Sequence, residues 1–131
     1  MLAKVTVKDY MSSNLITFSP EMDVLEAIQK LLKNRVTGAP VVDDHGNLIG
    51  TLSETDCMKV VLHSTYNQSM GGKVSDYMST GVMTVDVNAS IVDVAEILVK
   101  NKIRSVPVVD DVDMVGVISR IDVLKALECM R

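Results

Sequence analysis

Apolar and polar positions along this chain run through one series of patterns, and they run through it twice. Met22, Leu25, Ile28, Leu31 and Leu32 recur at the 3.6-residue period of a helix with one buried stripe. Ahead of that helix stands a short extended piece, Leu15-Ile16-Thr17-Phe18. Behind it comes a continuous apolar run, Ala39-Pro40-Val41-Val42, the mark of a strand buried on both faces. The polar stretch Asp43-Asp44-His45-Gly46-Asn47 predicts a tight turn, from which Leu48-Ile49-Gly50-Thr51-Leu52 pairs back as a hairpin. A last helix is expected from about Glu54 to His63. The second half repeats the order: Val82-Met83-Thr84-Val85, a helix, Val106-Pro107-Val108-Val109, the shorter turn Asp110-Asp111-Val112-Asp113, Met114-Val115-Gly116-Val117-Ile118, and a helix from Arg120 to the end.

Local punctuation sets the expected helix ends. Ser19 with Pro20 behind it, and Asp86 in the second half, read as N-caps. Asn34 and Asn101 stand where a left-handed C-terminal residue is expected.

The repetition extends to residue identity. Val7-Lys8-Asp9-Tyr10-Met11-Ser12 returns as Val74-Ser75-Asp76-Tyr77-Met78-Ser79, Lys33-Asn34 as Lys100-Asn101, and Pro40-Val41-Val42-Asp43-Asp44 as Pro107-Val108-Val109-Asp110-Asp111. After one residue is lost in the second turn, Gly50-Thr51-Leu52-Ser53-Glu54-Thr55-Asp56 matches Gly116-Val117-Ile118-Ser119-Arg120-Ile121-Asp122. The chain therefore divides into repeat 1 (residues 1–63), a linker (64–73) and repeat 2 (74–131). Each repeat reads β-α-β-β-α, a mixed α/β (α+β) class. A three-stranded sheet with helices on one face cannot bury its apolar surface alone in about sixty residues. The two repeats are therefore expected to pack sheet to sheet with pseudo-two-fold symmetry.

Composition narrows the function. Apolar residues make up 47% of the 131 residues, ample for a core, but no run approaches the ~20 apolar residues of a membrane span. The start is too quickly polar for a signal peptide, and a soluble cytoplasmic protein is expected. A net charge of −4 with scattered Lys and Arg, three Tyr, one Phe and no Trp argues against a nucleic acid polymer as partner. Cys57 and Cys129 read as free thiols in apolar helical surroundings. His45 and His63 have no second ligand at metal spacing, so no metal site is expected. Ser53 and Ser119 lack a base in their motif, and no catalytic set appears, so the chain is read as a non-enzyme.

Asp-Tyr-Met-Ser, Pro-Val-Val-Asp and Gly-x-x-Ser-x-x-Asp, each present twice and in order over almost the whole chain, resemble a tandem pair of CBS domains. That module is named after cystathionine β-synthase, and this chain resembles a stand-alone pair. The resemblance implies a regulatory or sensor module taking an adenosine-containing ligand (AMP, ADP, ATP or S-adenosylmethionine) in clefts between the repeats, with no required cofactor. It also implies homodimerisation and an unknown regulated protein as partner. The alternative is a ligand-free dimerisation or protein-interaction scaffold built on Met-rich apolar helices, since nine Met occur.

The chemistry of such a site falls on the Ser-x-x-Asp motifs. Ser53 and Ser119 stand where a strand gives way to a helix, whose free N–H groups suit a phosphate. Asp56 and Asp122, one turn on, can accept both hydroxyls of a ribose. The same spacing is a capping box that needs no ligand, and the two roles can coexist. The halves differ where charge matters. Arg120 follows Ser119 where Glu54 follows Ser53, and Arg104, at a position the resemblance puts near a ligand phosphate, aligns with Thr37. One anionic site is therefore expected, with Arg104, Ser119, Arg120 and Asp122 at its polar end. The Ser53/Asp56 site is expected to be weaker or to take an uncharged adenosine-type ligand. Ile16, Thr17, Ala39, Pro40, Met83, Thr84, Val106 and Pro107 are the candidates for an apolar slot around the base; each is equally a candidate core residue.

Overall fold

The computed structural model describes residues 2–13, 16–67 and 71–130. Its elements are α1 (Val24–Asn34), β1 (Gly38–Val42), β2 (Leu48–Ser53), α2 (Glu54–Asn67), α3 (Val74–Tyr77), β3 (Val85–Asp86), α4 (Ile91–Asn101), β4 (Ser105–Asp110), β5 (Asp113–Ser119) and α5 (Arg120–Cys129). The hairpins β1–β2 and β4–β5 are antiparallel, and each carries a register shift at the same point, Val41/Val42 and Val108/Val109. β3 adds to β4 in parallel. In the first half that third strand shrinks to a single parallel bridge, Phe18 to Val41; Leu15, expected to extend it, lies outside the described residues.

The chain forms two compact units that cut across the sequence repeats. One comprises residues 16–82 and the other residues 1–15 with 83–131; they are called here the Asp56 unit and the Asp122 unit. The leading Asp-Tyr-Met-Ser segment of each repeat belongs to the unit built on the other repeat's hairpin. In the Asp122 unit, Ser12 and Val117 exchange two backbone hydrogen bonds (2.9 and 3.0 Å); in the Asp56 unit, Ser79 and Thr51 do the same (both 2.9 Å). These approaches explain the glycine of Gly-x-x-Ser. A Cβ on Gly116 would stand 2.8 Å from the Ser12 carbonyl oxygen, and one on Gly50 2.8 Å from that of Ser79. The fully buried Val7 and Val74 anchor the two segments in their cores. A tyrosine clasps each to the last helix: the Tyr77 hydroxyl lies 2.8 Å from His63 Nδ1, and Tyr10 hydrogen-bonds Cys129, the residue at the equivalent place, which holds the Tyr10 phenol above its usual pKa.

The same segments displace the helix starts from where the sequence puts them. Ser19-Pro20 and Asp86 do not cap helices; each opens a turn, with the Ser19 hydroxyl accepting from Glu21 N and the Asp86 carboxylate from Asn88 N. The carbonyls of Pro20 and Met22 accept from Ser75 and Val74 N, and those of Val87 and Ala89 from Lys8 and Val7 N. That pairing draws the chain out of the helical path, and the helices begin after Asp23 and Ser90, which cap them. At the other end the left-handed residues are Arg35 (φ 55°) and Lys102 (φ 54°), one place beyond Asn34 and Asn101. The asparagines remain helical and donate their side-chain amides to the carbonyls of Lys30 and Ile97.

Two further expectations shift. α2 runs on to Asn67, so residues 64–67 of the expected linker are helical, while Ser69 falls outside the described residues. Along α1 the buried stripe is Val24, Ala27 and Leu31, with Leu25 and Ile28 beside it; Leu32 is 74% exposed. Val99, its equivalent on α4, is 79% exposed.

Candidate functional site

Both Ser-x-x-Asp motifs form the capping box that their spacing allows. The Ser53 hydroxyl accepts from Asp56 N (3.3 Å), and Asp56 Oδ2 accepts from Ser53 N (2.9 Å) and its hydroxyl (3.0 Å). The Ser119–Asp122 set has the same three bonds, at 3.3, 2.8 and 3.0 Å. Each box sits where β2 or β5 hands over to the helix, so it fixes the carboxylate by local geometry alone.

The second carboxylate oxygen separates the two copies. Asp56 is 2% exposed, and its Oδ1 accepts from the Ser79 hydroxyl (2.9 Å) and Lys59 Nζ (3.3 Å). Asp122 is half-buried, and its Oδ1 has no hydrogen-bond partner among the described residues. Ser79 and Lys59 were not singled out by sequence reasoning. The signal for Ser79 was present in its recurrence with Ser12, but only the fold brings it to Asp56.

In the second half the backbones of the two arginines meet. Arg120 N donates to the Arg104 carbonyl (2.9 Å), so the strand end carrying Arg104 lies against the start of α5, beside Ser119 and Asp122. Both arginines are exposed. Glu54 N makes the equivalent bond to the half-buried Thr37 (2.9 Å), which puts a carboxylate where the other unit has a guanidinium. Near Asp56, burial pushes the Cys57 thiol above its usual pKa, and the charges of Asp56 and Glu54 push the same way, so this thiol stays protonated.

The apolar candidates divide by strand alternation. Ala39 and Val106 point into the cores of their units. Pro40 and Pro107, also buried, take the alternate positions of the same strands. Thr17 is half-buried and Thr84 exposed, each just ahead of the piece that pairs with that strand. The structure thus gathers Thr84, Arg104, Val106, Pro107, Ser119, Arg120 and Asp122 in one unit, and Thr17, Ala39, Pro40, Ser53 and Asp56 in the other. Among the described residues no group of three or more His, Cys, Asp or Glu is placed to hold a metal ion, and no helix is long and apolar enough to cross a membrane.

Comparison with known proteins bears on this geometry. The CBS domain profile matches residues 7–63 and again 74–129. Protein MJ1225 of Methanocaldococcus jannaschii is 32% identical over 121 residues, which cover 92% of this chain but 42% of that protein, so the chain spans less than half of that relative. The crystal structure of CBSX2 in complex with AMP superposes with a TM-score of 0.84 at 32% identity, covering 97% of this chain and 99% of that one. The CBS domain pair of protein MJ0100, in complex with 5'-methylthioadenosine and S-adenosyl-L-methionine, gives a TM-score of 0.83 at 27% identity, covering 97% and 98%.

Proposed function

This chain belongs to the CBS domain family, and we propose that it is a non-enzymatic sensor of an adenosine-containing ligand (AMP, ADP, ATP or S-adenosylmethionine). The observation that carries this reading is Asp122. Its capping box holds the carboxylate still through one oxygen and leaves Oδ1 to accept a ribose hydroxyl. Arg104 and Arg120, joined through their backbones beside it, supply charge for a phosphate. Ser119 adds a hydroxyl, while Thr84 and Pro107 border the place a base would take. In the Asp56 unit, Ser53, Asp56, Thr17 and Pro40 form the weaker counterpart, with Glu54 opposing an anion. The adenosine ligands held by CBSX2 and MJ0100 support this choice of ligand class.

A ligand that binds only the folded state raises the melting temperature. AMP, ADP, ATP or S-adenosylmethionine at millimolar concentration is expected to do so, and Asp122→Ala to remove most of the rise. A flat response to all four refutes the reading.

One observation favours a second role, with or without ligand. α2 leaves Met58, Val61 and Leu62 more than half exposed, the last two standing three and four residues beyond the first, and α5 leaves Ile121, Leu124 and Leu127 so, at intervals of three. Such stripes suit a homodimer, or docking to a regulated protein as a ligand-free scaffold. Sedimentation tests the homodimer: a dimer that Leu124→Glu dissociates is expected, and a wild-type monomer at all concentrations refutes it. The free thiols of Cys57 and Cys129 fit a reducing compartment such as the cytoplasm.

A further inference from the structure

The two Ser-x-x-Asp carboxylates are held alike through Oδ2 and differently through Oδ1, where among the described residues Asp56 alone has partners, Ser79 and Lys59. Ser79 is exposed, and its backbone is pinned to Thr51 through both N and O. Its hydroxyl can therefore leave Asp56 by rotation about χ1 alone, with no movement of the chain. Lys59, the other partner of Oδ1 at 3.3 Å, reaches the buried carboxylate from a long arm whose own side chain is 58% exposed, so it can shift along the oxygen to admit a further donor. Ser12, the counterpart of Ser79, is pinned to Val117 in the same way, yet its hydroxyl makes no hydrogen bond to Asp122 among the described residues.

We propose that Ser79 is an intramolecular gate on the Asp56 site, its hydroxyl occupying the carboxylate oxygen that a ligand diol would take. This rests on the adenosine-ligand reading above and adds its regulation. A ribose hydroxyl arriving at Asp122 makes a new charge-assisted bond, whereas one arriving at Asp56 replaces a hydroxyl already donating at 2.9 Å. Exchange of one hydroxyl for another returns almost nothing, so the two sites fill in order: Asp122 first, Asp56 only at ligand concentrations high enough to turn Ser79 away.

Calorimetric titration with AMP tests the gate. Asp122→Ala leaves the Asp56 site as the only complete one, and is expected to bind AMP weakly. Adding Ser79→Ala to it is expected to tighten binding about tenfold, the order of one hydrogen bond to a charged group set free from competition. Ser79→Thr, which keeps the hydroxyl, is expected to restore the weak binding, and 2',3'-dideoxy-AMP, which lacks both donors, is expected to gain nothing from Ser79→Ala. Because Ser79 is exposed and its backbone bonds do not involve the side chain, circular dichroism should show that each Ser79 substitution leaves the helix content of the Asp122→Ala protein unchanged. Equal AMP affinity in Asp122→Ala with and without Ser79→Ala overturns the gate while leaving the adenosine-ligand reading intact. Failure of the wild-type protein to bind any of the four adenosine ligands overturns both.

Discussion

Gly116→Ala puts the exchanged leading segment to a direct test. The added Cβ would stand 2.7 Å from Met11 Sδ, 2.8 Å from the Ser12 carbonyl oxygen and 3.2 Å from Met11 Cγ. Ordinary contact begins near 3.5 Å, so the segment must withdraw by about 0.7 Å. The Met11 side chain can rotate aside, but the Ser12 oxygen is backbone. Moving it stretches the two bonds that join Ser12 to Val117, now 2.9 and 3.0 Å, past useful length. Overpacking of this kind costs about 1–3 kcal/mol. At about 2.1 cal/mol/K of unfolding entropy per residue, the 131-residue chain should lose about 4–11 °C of melting temperature. Hydrogen exchange should localise the loss: the amides of Ser12 and Val117 are expected to exchange faster while those of β4 inside the hairpin stay protected. A variant as stable as the wild type, with both amides still protected, would refute the claim that this glycine exists to admit the leading segment.

Removing the cap in Ser90→Ala should destabilise the Asp122 unit by about 0.5–2 kcal/mol in denaturant unfolding, whereas Asp86→Ala, at the turn ahead of it, should leave α4 intact by circular dichroism. Arg35→Gly and Lys102→Gly relieve left-handed non-glycine residues at exposed helix ends, a conformation that costs an L-residue about 1–2 kcal/mol, and should each raise the melting temperature by what remains of that after glycine's larger loss of chain entropy. In native protein Cys129 should react with a thiol reagent well before Cys57, which burial and the charges of Asp56 and Glu54 keep protonated; comparable rates in the folded state would contradict the placement of Cys57. Asp43 titrates below its usual value, chiefly because the Asn47 amide donates to it, with the Asn47 side chain and the His45 amide assisting. A depressed folded pKa means the contribution is full above the unfolded value and disappears as pH falls through the folded one. Asp43→Ala should therefore flatten the stability profile on its acid side, below about pH 4, as read by urea unfolding.

What the sequence determined by itself is what short-range chemistry determines. The 3.6-residue stripes, the continuous apolar strands and the polar turns placed the helices and hairpins, and Ser-x-x-Asp specified a capping box whose bonds span three residues. The repeat made the family legible because six motifs stand in register. Tertiary structure decided three things that local pattern leaves open. It decided which leading segment completes which unit, since Val7, Tyr10, Met11 and Ser12 and their equivalents Val74, Tyr77, Met78 and Ser79 carry the same signal. It moved the helix starts from Ser19 and Asp86 to Asp23 and Ser90, because carbonyls that a helix would have used internally are taken by that segment. And it made two identical carboxylates unequal. The Oδ2 atoms of Asp56 and Asp122 are bound by near neighbours in the chain, whereas Oδ1 of Asp56 meets a serine twenty-three residues away, a partner that only the folded chain brings into reach.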